Sequence, residues 1–139
     1  MKKSILSLLL FLAITVAGMS QTKPVRIVFD ITSNDSLAHQ AVLRHVTGMS
    51  KSYPDSKFEV VVYGGALPMV VKNKSTVANG IQQLGGNKNV SFKVCAVTMQ
   101  RFAVDKSQLI AGVEVVPDAI IEIVTKQGDG WGYIKEAHH

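Results

Sequence analysis

From Val25 onward two kinds of apolar pattern alternate along the chain. One is a short run of β-branched and aromatic residues, at 25–31, 58–63, 90–95 and 113–116. Such runs, bounded by turn-forming residues, read as buried strands. The other recurs at helical spacing. Ala38, Val42, Val46 and Met49 predict a helix over 37–49, and Val77, Ile81 and Leu84 predict one over 75–84.

The polar punctuation supports this division. Residues 33–36 supply good helix N-caps, Tyr53-Pro54-Asp55 breaks the chain, and Gly85-Gly86 stops the second helix. Residues 67–71 read as a short helical or irregular piece interrupted by Pro68. A short helix is expected over 96–101, and Asp105 can cap another over 106–110. Pro117 suits the first turn of a helix running from Asp118 to about Lys126. After the turn at 127–130, residues 131–134 read as a last strand near an edge.

Strands alternating with helices define an α/β protein. The expected architecture is a three-layer α/β/α domain with a mostly parallel sheet of about five strands, covered on both faces. The chain shows no internal repeat or second domain.

The N-terminus reads differently. Lys2 and Lys3 precede an apolar run at 5–17 and a small-residue zone at 17–20. This is the pattern of a secretory signal peptide, residues 1–20, with cleavage near Ser20-Gln21. A transmembrane helix needs about 20 apolar residues, and this run is shorter. No cysteine lies near the cleavage zone, so no lipid anchor is expected. The mature domain is then 21–139, exported to a periplasm or secreted, with no stable membrane insertion.

Removing Lys2 and Lys3 from 15 basic residues leaves 13 against 10 acids, a formal charge of +3. The lysines are scattered, which gives no indication of nucleic-acid binding.

Export also changes the meaning of Cys95, the one cysteine in the chain. In an oxidising compartment it is free, paired with another molecule, or chemically modified. Cys95 ends a predicted strand and precedes a predicted helix. That position is the carboxyl rim of the sheet, where open α/β folds bind ligands. Two readings are open. The positive end of a helix dipole favours thiolate over thiol, which would make Cys95 a nucleophile or sulfur carrier. A free cysteine is also a common small apolar packing group.

The same rim gathers Asp30, Tyr63 and Gly64 from neighbouring strand ends. Gly64-Gly65 either lets an anion approach backbone amides or forms a simple turn. Asp30 either accepts a hydrogen bond from a substrate or caps the following turn. His39 and His45 lack zinc-binding spacing, and no phosphate-binding glycine motif is present. No metal or cofactor is therefore expected. No nucleophile, base and orienting group occur together in a hydrolase pattern.

With these residues in place the chain resembles the DsrE/DsrF-like (YchN-like) superfamily. The resemblance runs from about Val25 to Ile134. It rests on Val28-Phe29-Asp30-Ile31, Val60-Val61-Val62-Tyr63-Gly64, Phe92-Lys93-Val94-Cys95-Ala96-Val97-Thr98-Met99, and the ending from Val113 through Trp131-Gly132-Tyr133-Ile134. Val97 stands where many relatives have Asn, and Tyr63 where many have His.

The resemblance implies an α/β/α domain that forms homo-oligomers, trimers or hexamers. Some members are sulfur relays that carry sulfane sulfur as a cysteine persulfide, at a position corresponding to Cys95. The partners implied are a sulfur donor or acceptor protein or a small thiol. In that reading the amides of Gly64, Gly65 and Ala96 hold the anionic sulfur. The alternative is a non-catalytic oligomeric module that binds a small molecule or protein, with Cys95 as packing.

Overall fold

A computed structural model of the chain describes residues 23–137. The signal-peptide reading of 1–20, His138 and His139 lie outside the described residues. Five strands form one sheet: β1 (Arg26–Ile31), β2 (Lys57–Val62), β3 (Val90–Cys95), β4 (Val113–Val116) and β5 (Gly132–Glu136). Their order is β4-β3-β2-β1-β5, and every pairing is parallel.

The helices are α1 (Ser36–Ser52), α2 (Ala78–Leu84), α3 (Ala96–Arg101) and α4 (Ala119–Gly128). Two 3-10 segments, Gly64–Val70 and Lys106–Gln108, complete the connections. Among the described residues no helix is long and apolar enough to cross a membrane.

The strand order explains how the helices are distributed. From β1 to β4 the chain steps one way across the sheet. It then returns past β3, β2 and β1 to add β5 at the other edge. Parallel crossovers keep one hand, so a reversal of direction sends the returning helix to the opposite face.

One face is therefore thick. Phe29 and Ile31, Phe58, Val60 and Val62, and Phe92 and Val94 pack there against Val42 and Val46 of α1, Met69, Ile81 and Met99. Among the described residues the other face carries α4 alone, which touches β1, β2, β3 and β5. Its apolar centre is small: Val28, Val61 and Cys95 from the sheet with Ala119 and Ile123 from the helix. Strand side chains alternate between faces, so Asp30, Glu59 and Cys95 share this thin side.

Several boundaries differ from expectation. The helix expected over 106–110 is only the 3-10 turn Lys106–Gln108, although Asp105 and Gln108 do form a capping box. The helix expected over 75–84 begins at Ala78, after a turn in which the Val77 amide donates to Ser75 Oγ. The last strand runs Gly132–Glu136 and not 131–134, because its ladder with β1 extends to the Ile31–Glu136 pair.

Helix α3 ends in a Schellman closure. The Val104 amide donates to Met99 O and the Ala103 amide to Gln100 O. The intervening Ala103 has φ 50, where glycine is usual. A left-handed L-residue costs on the order of 1 kcal/mol.

Helix α4 is held at three places. Asp118 caps its start by accepting from the amides of Ile120 and Ile121. The amide of Ala119 donates to Cys95 Sγ. Further along, Lys126 Nζ lies 2.9 Å from Glu59 Oε2 and 3.5 Å from Glu122. Lys126 also stacks on the Trp131 ring at 4.5 Å, while Arg26 approaches the same ring at 5.9 Å.

Glu59 is only 2% exposed, and its Oε1 has no partner among the described residues. Burial raises its carboxyl above the ordinary value of 4.5, with Lys126 opposing and Glu122 adding to the rise. Burial lowers Lys126, but the two carboxylates outweigh this and leave it raised.

Lys126→Met would leave Glu59 buried without its counter-charge. The expected loss is about 2–3 kcal/mol at neutral pH. The folded carboxyl value lies above the unfolded one, so this penalty grows as pH rises from about 4.5. Urea unfolding at pH 4 and pH 7 checks it, and an equal loss at both would refute the assignment to Glu59.

Candidate functional site: a cysteine and a phenol–carboxylate cluster at the sheet rim

The carboxyl ends of β1, β2, β3 and β5 meet at one rim because all run parallel. Asp30 is the last but one residue of β1, and its side chain lies on the thin face. Its buried carboxylate accepts from three donors. Tyr133 OH lies 2.7 Å from Oδ2, Lys135 Nζ lies 2.9 Å from Oδ1, and Tyr63 OH lies 3.4 Å from Oδ2. The first two are short, charge-assisted contacts. The third is long and weak.

Lys135 Nζ also donates to Thr32 Oγ1 at 2.9 Å and sits 5.7 Å from the Tyr63 ring. Asp30 is thus the hub of a rim network. Of its two expected roles, capping the next turn falls to Asp35, whose carboxylate accepts from the Leu37 amide at the start of α1.

Tyr63 follows β2 directly and joins this network to the cysteine. It packs, with Trp131, against the small cluster that contains Cys95. Burial raises its phenol above the ordinary value of 10, followed by the charge and hydrogen bond of Asp30 and then by Cys95. Tyr133 is pushed up to about 12, first by its hydrogen bond to Asp30, then by burial and by the charge on Asp30. Both phenols are neutral donors at neutral pH.

Cys95 ends β3 at the rim but is only 5% exposed. Its Sγ lies 3.4 Å from the Ala119 amide, which donates to it. The expected helix end, that of α3, makes no side-chain capping bond with Cys95. The helix start facing the sulfur is that of α4. An amide donor at a helix N-terminus stabilises negative charge on its acceptor.

The remaining expected residues fall into two groups. Ala96 opens α3 directly after the cysteine. Gly64 has φ 57 and starts the 3-10 segment, but its amide donates to Thr98 Oγ1 at 3.0 Å. That amide therefore has a partner within the protein, the Thr98 hydroxyl. Gly65 passes so close to the β1 loop that a Cβ would lie 2.9 Å from Thr32 O. This position excludes a side chain.

Sequence reasoning missed Tyr133, Lys135, Thr98 and Ala119. Tyr133 and Lys135 had a legible signal. They are two apart on the strand, so they share a face, and a parallel last strand brings them to the rim. The Ala119 contact had none, since 24 residues separate it from Cys95. Among the described residues no group of three or more His, Cys, Asp or Glu is placed to hold a metal ion.

The fold and rim define a parallel α/β domain with a lone cysteine beside a phenol–carboxylate network. Over residues 26–135 it matches the DsrE/DsrF-like family, and the chain belongs to that family. It is similar to the structure of a protein of unknown function, MTH1491 from Methanobacterium thermoautotrophicum. That match has a TM-score of 0.74 and 27% identity, covering 80% of this chain and 98% of the other. The ychN protein from E. coli shares the fold, with a TM-score of 0.67, 14% identity, and 82% and 99% covered. A comparison with curated proteins found no match.

Asp30→Asn is expected to bring the Tyr133 ionisation down from about 12 toward 10, followed by phenolate absorbance. The wild-type folded value lies above the unfolded one. The Tyr133 contribution to stability is therefore complete below pH 10 and is lost as pH rises toward about 12. An unchanged alkaline titration in the variant would show that Asp30 does not control this phenol.

Proposed function

We propose that this DsrE/DsrF-like protein is an exported sulfur carrier that uses Cys95. The observation that supports it is the Ala119 amide on the sulfur at the start of α4. An amide donor at a helix start is complementary to the anionic outer sulfur of a persulfide.

In the proposed step the Cys95 thiolate attacks the terminal sulfur of a donor persulfide, R–S–SH. The new Sγ–S bond forms, the donor S–S bond breaks, and its electron pair leaves on R–S⁻. Cys95 then carries the sulfane sulfur, and no outside oxidant is required. Attack by an acceptor thiolate on that sulfur returns Cys95 to its starting state. Donor and acceptor are small thiols or partner proteins, and the approach runs past Tyr63, the partly buried cover of the cysteine cluster.

A second reading is favoured by one specific observation. Cys95 is 5% exposed among Val28, Val61, Ala119 and Ile123, the surroundings of a packing residue. The protein would then be a non-catalytic binding module. Treating the folded chain with inorganic polysulfide and measuring intact mass separates the two. The carrier gains the mass of one or more sulfur atoms, which cyanide removes, and Cys95→Ala does not. A wild-type mass equal to that of the variant overturns the carrier reading in favour of the module.

The carrier is further proposed to work as a homo-oligomer, a trimer or hexamer. Ile120, Ile121 and Val124 of α4 are each more than half exposed, on the sheet face that has no other helix among the described residues. A contiguous apolar surface of this kind fits a second copy of the chain. Ile121→Asp should reduce the mass measured by light scattering to that of a monomer. An unchanged mass would place the contact elsewhere or show that there is none.

A further inference from the structure

We propose that a second cleft, on the other side of the rim from the Cys95 sulfur, binds a small organic monoanion with a short apolar body. The cleft holds about 190 Å³ and lies between four segments: the loop after β1, the 3-10 segment after β2, the turn at 71–74 that follows it, and the chain following α3. That volume equals roughly six waters at their liquid density. It suits an acid the size of benzoate.

Its lining combines apolar side chains with two polar ones. Leu67, Pro68, Val71, Phe102 and Val104 are the apolar members. Leu67 is buried, whereas Phe102 is 53% exposed, an aromatic ring left at the lip of a concave surface. Between Phe102 and Val104 stands Ala103, the one non-glycine residue with positive φ among the described residues. Both neighbours of this strained residue line the cleft. Strain of this kind concentrates where a ligand site is held in shape.

The polar groups set the charge of the occupant. Asn34 and Lys74 line the cleft, and no acidic residue does. Among the described residues Lys74 makes no ion pair, unlike Lys93, Lys126 and Lys135. An ammonium without an ion pair and an amide, in a cleft otherwise lined by apolar side chains and glycines, complement a carboxylate attached to a short hydrocarbon. A ring in that body would also find Phe102 to stack against.

The site is independent of the sulfur reading. Cys95 does not line the cleft, and its sulfur lies in the cluster beneath α4 on the thin face of the sheet. The two share only the Gly64-Gly65 crossing, where Gly64 is tied to Thr98. Loss of either activity therefore leaves the other to be judged separately.

The test uses isotope-labelled full domain titrated with benzoate, benzylamine and benzyl alcohol, followed by amide NMR shifts. Benzoate is expected to give saturable shifts centred on Gly64, Gly65, Leu67, Phe102 and Val104, at least tenfold tighter than either analogue. Lys74→Glu, at an exposed position, should weaken benzoate at least tenfold and reverse the preference toward benzylamine. Phe102→Ala should weaken all three probes, and Cys95→Ala should change none. Equal binding of the three probes, shifts centred elsewhere, or no saturation would each overturn the proposal.

Discussion

Among the described residues a single ten-residue helix covers one face of a five-stranded sheet, and much of the molecule follows from how it is fixed there. The apolar contact available to α4 is small: two buried helix residues against Val28, Val61 and Cys95. Non-directional burial of that size does not define one seating for a helix. Directional bonds do so. The Ala119 amide on Cys95 fixes the start of the helix, and the Lys126 ammonium on Glu59 fixes the far end. The sulfur is thus both the candidate nucleophile and one of the points on which the helix rests.

That double role bears on the chemistry. A thiol that helps seat a helix is shielded, and its exposure of 5% reflects this. The same contact supplies the donor that would stabilise negative sulfur. Around it the rim is arranged for neutral phenols and a compensated charge. Asp30 holds two hydroxyls and one ammonium, so its charge is balanced where Tyr63 borders the cysteine cluster. Tyr63 itself stays protonated at neutral pH, so the group bordering the cysteine cluster is a neutral donor.

How much of this could be read from the chain depends on the range of the interaction. The five strands and the main helices were legible because their apolar periods are local. The rim position of Asp30, Tyr63 and Cys95 followed from parallel strands ending together. The role of Asp30 was not legible, because its partners Tyr133 and Lys135 lie more than 100 residues away. The end of β5 was misplaced for a related reason. Its last residues are polar, and only pairing with β1 reveals that they continue the strand. Glu59 posed the same problem. Within Phe58-Glu59-Val60-Val61 it interrupts an apolar run, and only the later arrival of Lys126 accounts for a buried carboxylate.

The Glu59–Lys126 pair also shows what stability alone would not select. One carboxylate oxygen has no partner among the described residues, and the acid is raised by burial even with a lysine beside it. Two well-packed apolar residues in these places would commonly be as stable or more so. They would, however, fit against Val61 and Ile123 in more than one register. A shift of α4 by one turn moves its residues by about 5.4 Å. Such a shift would separate Lys126 from Glu59 and leave the charge stranded, and it would draw the Ala119 amide off the sulfur. The costly ion pair and the weak amide–sulfur contact therefore enforce the same helix position from opposite ends. The ion pair contributes the larger penalty for misplacement. The geometry at Cys95, 3.4 Å from its donor, depends on that penalty more than on any strength of its own.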